Sequence, residues 1–306
     1  MVRHFLSIDD VTSDELNHLL ELSAKVKASP GDYSERLAGK SVAMIFEKPS
    51  ARTRVSFEVG IAEMAGHPVP LQDAEMQLGR RESIEDVGRV LSRYVQAIVL
   101  RTFGQERLEF LAKAASIPVV NALSDFEHPC QCLADLMTVR ERKGELAGLT
   151  LTYLGDGNNV ANSLLLGGAL VGMRVRVATP PGFEPIPQVV SRAEEIAGKT
   201  GGSVAVFNDS EAAITGADVL YTDVWASMGQ EEEADERSLV FQSYRLDQTA
   251  VNRAADDVLV LHCLPAHRGQ EITDEVIDGP HSAVWDQAEN RLHIQKALLL
   301  WLLDAA

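Results

Sequence analysis

Short apolar runs alternate with amphipathic stretches through most of the 306 residues. That rhythm predicts an α/β protein of two domains, each a parallel sheet flanked by helices. Two further observations support this class. The rhythm restarts at "LTLTYLGDG" (149–157) after a long helical stretch, and a chain of this length suits two cores of ~150 residues better than one.

The elements follow in order. Residues 13–28 place Leu16, Leu19, Leu20, Leu22 and Val26 near helical spacing, behind capping candidates Thr12 and Ser13. "KSVAMIF" reads as a buried strand, 53–65 as a helix, "HPVPLQ" as a short strand and 83–94 as a helix. "QAIVLRT" and "IPVVNAL" are strands, each followed by a helix, at 105–116 and 129–144. After the restart, strands are expected at "MRVRVATP", "GSVAVFN", "ADVLYTDVW" and "DVLVLHCL", with helices between them and a last helix in "AENRLHIQKALLLWLLDAA". The acidic stretch "SMGQEEEADERS" (227–238) is expected to be a loop and a lid. The expected domains are 1–145 and 146–287, with the tail helix, about 288–306, packing back onto the first.

Composition narrows the function. An apolar fraction of 45% and a charged fraction of 24% are those of a soluble globular protein. No apolar run approaches the ~18–20 residues of a membrane span, and "MVRHFLSIDDVTSDE" has acids where a signal peptide needs an apolar block. A cytoplasmic protein without a membrane partner is expected. The net charge of −17 argues against nucleic-acid binding. Cys130, Cys132 and Cys263 cannot build a disulfide framework, and no second Cys or His pair completes a zinc pattern. No metal and no cofactor are expected.

In open parallel sheets ligands sit beyond the carboxyl ends of strands. "SARTR" follows "VAMIF", Arg101 follows "AIVL", and His128 follows "PVVNAL". "DGNN" follows "TYL", "DVWASMG" follows "DVLYT", and "HCLP" follows "VLVL". These turns point to one composite cleft between the domains.

The chemistry of each turn has a functional and an ordinary structural reading. At "SARTR" a helix N-terminus, the hydroxyls of Ser50 and Thr53 and the fork of Arg52 suit a phosphate; a solvated helix face is the alternative. Walker A spacing is absent. His128, before Pro129 at a helix mouth, is placed to donate to an oxyanion, with Gln131 to hold an amide; a capping histidine is the alternative. The glycine pattern starting at Gly155 fails at Val160, so a dinucleotide site is not expected. Asn158 and Asn159 can present amides to a zwitterion, and Asp223 can hold an ammonium group or cap the next turn. Cys263 as a nucleophile needs a base. Strand alternation places His262 on the opposite face, so a polar contact or proton relay is the better reading. Arg291 is expected to start the last helix.

Together "FEKPSARTRVSFE", "QLGRRES", "RTFGQ", "HPCQCLADLMT", "GDGNNVANS", "DVWASMGQE" and "HCLPAHRGQE…DQAENRLHIQKALL" resemble the aspartate/ornithine carbamoyltransferase family over essentially the whole chain. "DVWASMG" with "HCLP" resembles its ornithine branch. The resemblance implies transfer of a carbamoyl group from carbamoyl phosphate to the δ-amine of L-ornithine. It implies that Ser50, Ala51 (through its N–H), Arg52 and Thr53 hold phosphate, and that Arg101, His128 and Gln131 hold the carbamoyl group. Gln77 is similar to a residue inserted into a neighbouring subunit's site, which implies a homotrimer. Asn159, Asp223, Ser227 and Met228 resemble ornithine ligands, Cys263 and Leu264 the pair near the reacting amine, and Arg291 a further carbamoyl phosphate contact.

Two departures stand out. Ala51 occupies a position where the family normally has Thr. Glu127 replaces the usual aromatic residue before the histidine, where it would either raise the pKa of His128 or turn outward. Two alternatives remain in view: a sister enzyme acting on putrescine or N-acetylornithine, and a silent binding homologue disabled at Ala51.

Overall fold

The structure is a computed structural model that describes residues 2–72, 76, 78–79, 81–226 and 234–306. The chain divides into two compact units, one of residues 1–133 and 290–306, the other of residues 134–289. Among the described residues no helix is long and apolar enough to cross a membrane.

In the first unit, helix α1 (Ser13–Ala28) is capped by Thr12, whose side chain accepts from Glu15 N while Glu15 reaches back to Thr12. Strands β1 (Ser41–Phe46), β2 (His67–Gln72), β3 (Ala97–Arg101) and β4 (Val119–Leu123) form one sheet ordered β2-β1-β3-β4. Every pairing in it is parallel. Helices α2 (Ala51–Glu63), α3 (Ile84–Leu91) and α4 (Gln105–Ala114) are the crossovers. Ile45, Ile98 and Leu100 of the sheet pack with Ile84, Val87, Leu108 and Leu111 of α3 and α4. Each such fully buried aliphatic side chain contributes roughly 1.5–3 kcal/mol.

Helix α5 (Pro129–Lys143) leads from the first unit into the second. There β5 (Thr150–Leu154), β6 (Arg174–Ala178), β7 (Ser203–Phe207), β8 (Val219–Thr222) and β9 (Leu259–His262) form a sheet ordered β7-β6-β5-β8-β9. It too is parallel throughout. Helix α6 (Asn159–Leu170) is buried from Val160 to Leu170, which explains its continuous apolar run. Helices α7 (Pro187–Thr200), α8 (Ser210–Ile214), α9 (Ala234–Phe241), α10 (Gln248–Arg253) and α11 (Asp274–Ile277) follow, and α12 (Val284–Leu302) ends the chain.

The α/β class and the order of strands and helices are as expected from the sequence. Three local expectations are corrected. Residues 234–238, expected in a loop, belong to α9, which the fully buried Phe241 and the ion pair of Arg237 with Asp156 hold in place. Helix α12 begins at Val284, so Arg291 lies inside it rather than at its start. The first turn of α12 contains the buried Gln287, which accepts from His262 N and donates to Asp135 and the Tyr221 hydroxyl. Helix α3 is shorter than expected, because Ser83 caps its start and Ser92 its end.

Candidate functional site

In the first unit the strand order reverses between β1 and β3, the switch point where open α/β sheets bind ligands. Ser50 is extended (φ −159°, ψ 102°) and its Oγ accepts from Thr53 N at 3.3 Å, so it caps α2. The first turn of α2 holds no acid, which leaves the positive end of the helix for an outside anion. Ala51 and Arg52 are exposed, and Thr53 is buried.

Arg291, itself buried, donates from Nη2 to Thr53 Oγ1 at 2.6 Å and from Nη1 to Gln131 Oε1 at 2.9 Å. It thereby ties the first turn of α2 to the first turn of α5. His128 precedes Pro129, the first residue of α5, and its carbonyl accepts from Gln131 N at 3.0 Å. Burial, then the charges of Arg291, Arg101 and Arg52, hold the His128 imidazole well below its ordinary range. It is neutral at physiological pH and retains one N–H to donate.

A second set of contacts fastens the turns after β1 and β3 together. Arg107 Nε donates to Glu47 Oε2 at 3.0 Å and to Thr102 Oγ1 at 3.1 Å. Its Nη2 donates to Leu78 O at 2.7 Å and pairs with Glu47 Oε1. Glu47 N also donates to Arg101 O at 2.9 Å. Sequence reading missed Arg107, whose only cue was a charged position on an otherwise ordinary amphipathic helix.

Glu127 does neither of the things expected of it. It is fully buried, and its carboxylate accepts from the Ser7 hydroxyl and, at 3.1 Å, from Ile8 N. The His128 pKa moves down, not up. Cys130 is a core thiol that donates to Asn121 O at 3.3 Å, and burial pushes its pKa to about 12.

In the second unit the order reverses between β5 and β8. Gly155 has φ +141°, and a Cβ on Gly157 would meet Pro185 N at 2.3 Å, so the turn after β5 needs both glycines. Asn158 caps α6, accepting from Val160 N at 2.9 Å and Ala161 N at 3.2 Å. Its amide donates to Asp223 Oδ2 at 2.9 Å. The other Asp223 oxygen accepts from Cys263 Sγ at 2.9 Å and from Val224 N at 2.8 Å. Asn159 is the first residue of α6.

Cys263 makes a polar contact with Asp223, and both ring nitrogens of His262 bond to other partners. Ligating atoms of Asp223, His262 and Cys263 lie within 4.8 Å of one another. Strand pairing ends at His262, and Leu264 turns the chain with φ +60°, so period-two alternation no longer applies there. His262 Nδ1 accepts from Leu264 N at 2.8 Å, which leaves Nε2 to donate to Glu271 Oε1 at 3.1 Å. Glu271 closes the "HCLPAHRGQE" stretch, nine residues after His262, and sequence reading gave it no role because nothing local marks the pairing. Arg237 pairs with Asp156 at 2.7 Å and lies 5.0 Å from the centre of the Phe183 ring.

The sequence profile of the aspartate/ornithine carbamoyltransferase carbamoyl-P binding domain matches residues 3–141, and that of the Asp/Orn binding domain matches residues 147–302. The chain belongs to the aspartate/ornithine carbamoyltransferase family. It is 61% identical over 305 residues to a protein of Parafrankia sp. (strain EAN1pec) named ornithine carbamoyltransferase, covering 99% of this chain and 96% of the relative. It is 58% identical to the protein of that name from Acidothermus cellulolyticus (strain ATCC 43068 / DSM 8971 / 11B), covering 100% of this chain and 98% of the relative. The solved structure of ornithine carbamoyltransferase from Pyrococcus furiosus superposes with a TM-score of 0.95 at 51% identity, covering 97% of this chain and 96% of that one.

Within this carbamoyltransferase fold, the first unit joins Thr53, Gln131 and Arg291 by hydrogen bonds, and the charges of Arg52, Arg101 and Arg291 act on His128. The second unit joins Asp223 to Cys263. Gln77, Ser227 and Met228 lie outside the described residues.

Proposed function

We propose that the chain transfers the carbamoyl group of carbamoyl phosphate to the δ-amine of L-ornithine, giving L-citrulline and phosphate. The observation that carries this reading is Arg291 bridging the first turns of two helices beside a neutral histidine. That is a cationic cradle for a dianionic phosphate, with a neutral N–H donor for the carbonyl next to it.

Ser50, Arg52, Thr53 and the Ala51 N–H grip the phosphate. Arg101, His128, Gln131 and Arg291 hold the carbamoyl group and the bridging oxygen, and Leu264 and Cys263 close on the same group. Asp223 takes the α-ammonium group, with Asn159, Ser227 and Met228 as the remaining ornithine contacts. The neutral Nδ lone pair adds to the carbonyl carbon, and the oxygen becomes an oxyanion facing Arg101, His128 and Thr53. The C–O bond to phosphate then breaks, and phosphate leaves with the electron pair and takes up the proton that Nδ loses. Carbamoyl phosphate is a mixed anhydride with a good leaving group, so electrostatic stabilisation and positioning suffice; each preorganised donor supplies ~3–4 kcal/mol. Direct transfer requires both sets of residues to act on one substrate pair while water is excluded.

The reading extends to residues 1–145 as the carbamoyl phosphate domain and 146–287 as the ornithine domain. It includes a homotrimer in which Gln77 serves a neighbouring site, and an arginine-biosynthetic role in the cytoplasm. The test is product formation from carbamoyl phosphate with ornithine, putrescine or N-acetylornithine. Citrulline from ornithine, lost in Arg52→Ala, is expected. Turnover only with another amine, or ligand binding without turnover, would overturn the reading.

A further inference from the structure

Glu127 stands immediately before His128 and makes no contribution to the chemistry above. Its carboxylate is fully buried and spans to the N-terminal segment. One oxygen accepts from the Ser7 hydroxyl, the other from Ile8 N at 3.1 Å. Ser7 is fixed in turn. It caps the short helical turn Ile8–Asp10, its hydroxyl lies 2.7 Å from Asp9 Oδ1, and its N–H donates to Asp10 Oδ2 at 3.0 Å.

The same segment is stitched to the strand that leads to the histidine. Phe5 N donates to Val119 O and Asn121 N donates to Phe5 O, each at 2.8 Å, which adds a one-residue parallel rung beside β4. Leu6 O accepts from Asn121 Nδ2 at 2.9 Å and from Gln105 Nε2 at 3.2 Å. Ser124 Oγ donates to Gln105 Oε1 at 2.7 Å and accepts from Glu127 N at 3.1 Å, while Ser124 N donates to Glu127 O at 2.9 Å. The turn 124–127 is therefore closed on itself by Ser124 and Glu127, held to Gln105 through Ser124, and tied to the N-terminal segment through the Glu127 carboxylate.

We infer that Glu127, latched onto Ser7 and Ile8, is a positioning residue that sets where the His128 imidazole points. A buried carboxylate with two donors has little freedom to move, because leaving either oxygen unsatisfied exposes a desolvated charge. Peptide planarity then transmits that fixity to the next residue. Catalysis by preorganised donors is sensitive to such placement: a shift of ~1 Å costs on the order of 100-fold. Glutamine can replace the acid conservatively, since its carbonyl accepts from Ile8 N–H and its amide donates to Ser7 Oγ, whose own proton then goes to Asp9. Alanine can make neither contact.

This inference rests on the proposed role of His128, and its test separates the two. Glu127→Ala, Glu127→Gln and Ser7→Ala are compared by steady-state kinetics, by thermal melting, and by the ring-nitrogen NMR signal of His128 in histidine-labelled protein, assigned through His128→Asn. Expected for Glu127→Ala are a displaced His128 signal, a fall in kcat of ~10–100-fold and a KM for ornithine within about twofold of the parent. Glu127→Gln should restore signal and rate, and Ser7→Ala should fall between. An unmoved His128 signal in a folded Glu127→Ala or Ser7→Ala protein, with only the melting temperature lowered, would overturn the inference. A displaced signal without any change in turnover would leave the positioning intact and refute the catalytic role of His128 instead.

Discussion

Replacing Arg291 by Gln is the most informative single change to the anion cradle. The guanidinium donates to Thr53 Oγ1 at 2.6 Å and to Gln131 Oε1 at 2.9 Å, and its charge acts on His128 more strongly than those of Arg101 and Arg52. Hydrogen bonds to charged groups contribute ~1.5–3 kcal/mol each, and loss of one donor to a developing oxyanion costs ~3–4 kcal/mol. The expected result is a fall in kcat/KM for carbamoyl phosphate of ~100–1,000-fold, which is the rate equivalent of that range. KM for ornithine should change little. The same substitution removes the second-largest cause of the depressed His128 pKa, so the His128 titration should move upward. Without ligand the protein should not lose stability in proportion, because a buried cation among other cations is relieved. Phosphate should raise the melting temperature of the parent and have far less effect on the variant. The assay is initial-rate kinetics over both substrates, with melting curves in the presence and absence of phosphate. An unchanged carbamoyl phosphate KM and an unchanged phosphate-induced shift would refute the cradle.

Other outcomes follow from the same contacts. The folded pKa of His128 lies well below 6.5, so this group binds fewer protons folded than unfolded. It therefore destabilises the fold as pH drops below 6.5, and its NMR signal should show the neutral ring throughout pH 6–8. Asp223→Asn should raise KM for ornithine at least ~10-fold, because an ion contact is lost, and leave carbamoyl phosphate binding by calorimetry unchanged. Arg107→Leu breaks the pair with buried Glu47, so it should cost about 3 kcal/mol in denaturant unfolding and weaken phosphate binding as well. Ala51→Thr should tighten carbamoyl phosphate binding; equal or weaker binding than the parent would show that the backbone donor at residue 51 already suffices.

The fold was legible because two periodicities carry it. Apolar runs such as "SVAMIF" and "TLTYL" became strands buried on both faces, and amphipathic stretches between them became crossover helices. The chemically loaded turns were legible for the same topological reason, since each stands at or just beyond the carboxyl end of a strand. What sequence did not reveal depends on long-range pairing. Nothing local marks Glu271 as the partner of His262, Arg107 as the clamp on Glu47, or Ser7 as the partner of Glu127, 120 positions away. Residues 234–238 were misjudged because acidic composition outweighed the anchoring that Phe241 and Arg237 provide.

Direct carbamoyl transfer to the δ-nitrogen is tested most simply by isotope connectivity. The purified protein is mixed with carbonyl-¹³C carbamoyl phosphate and δ-¹⁵N ornithine, and the product is read by ¹³C NMR alongside a phosphate assay. A ureido carbon split by a directly bonded ¹⁵N, formed in step with phosphate, is the predicted result. A ¹³C label that ends in bicarbonate, or a product without ¹³C–¹⁵N coupling, would contradict it.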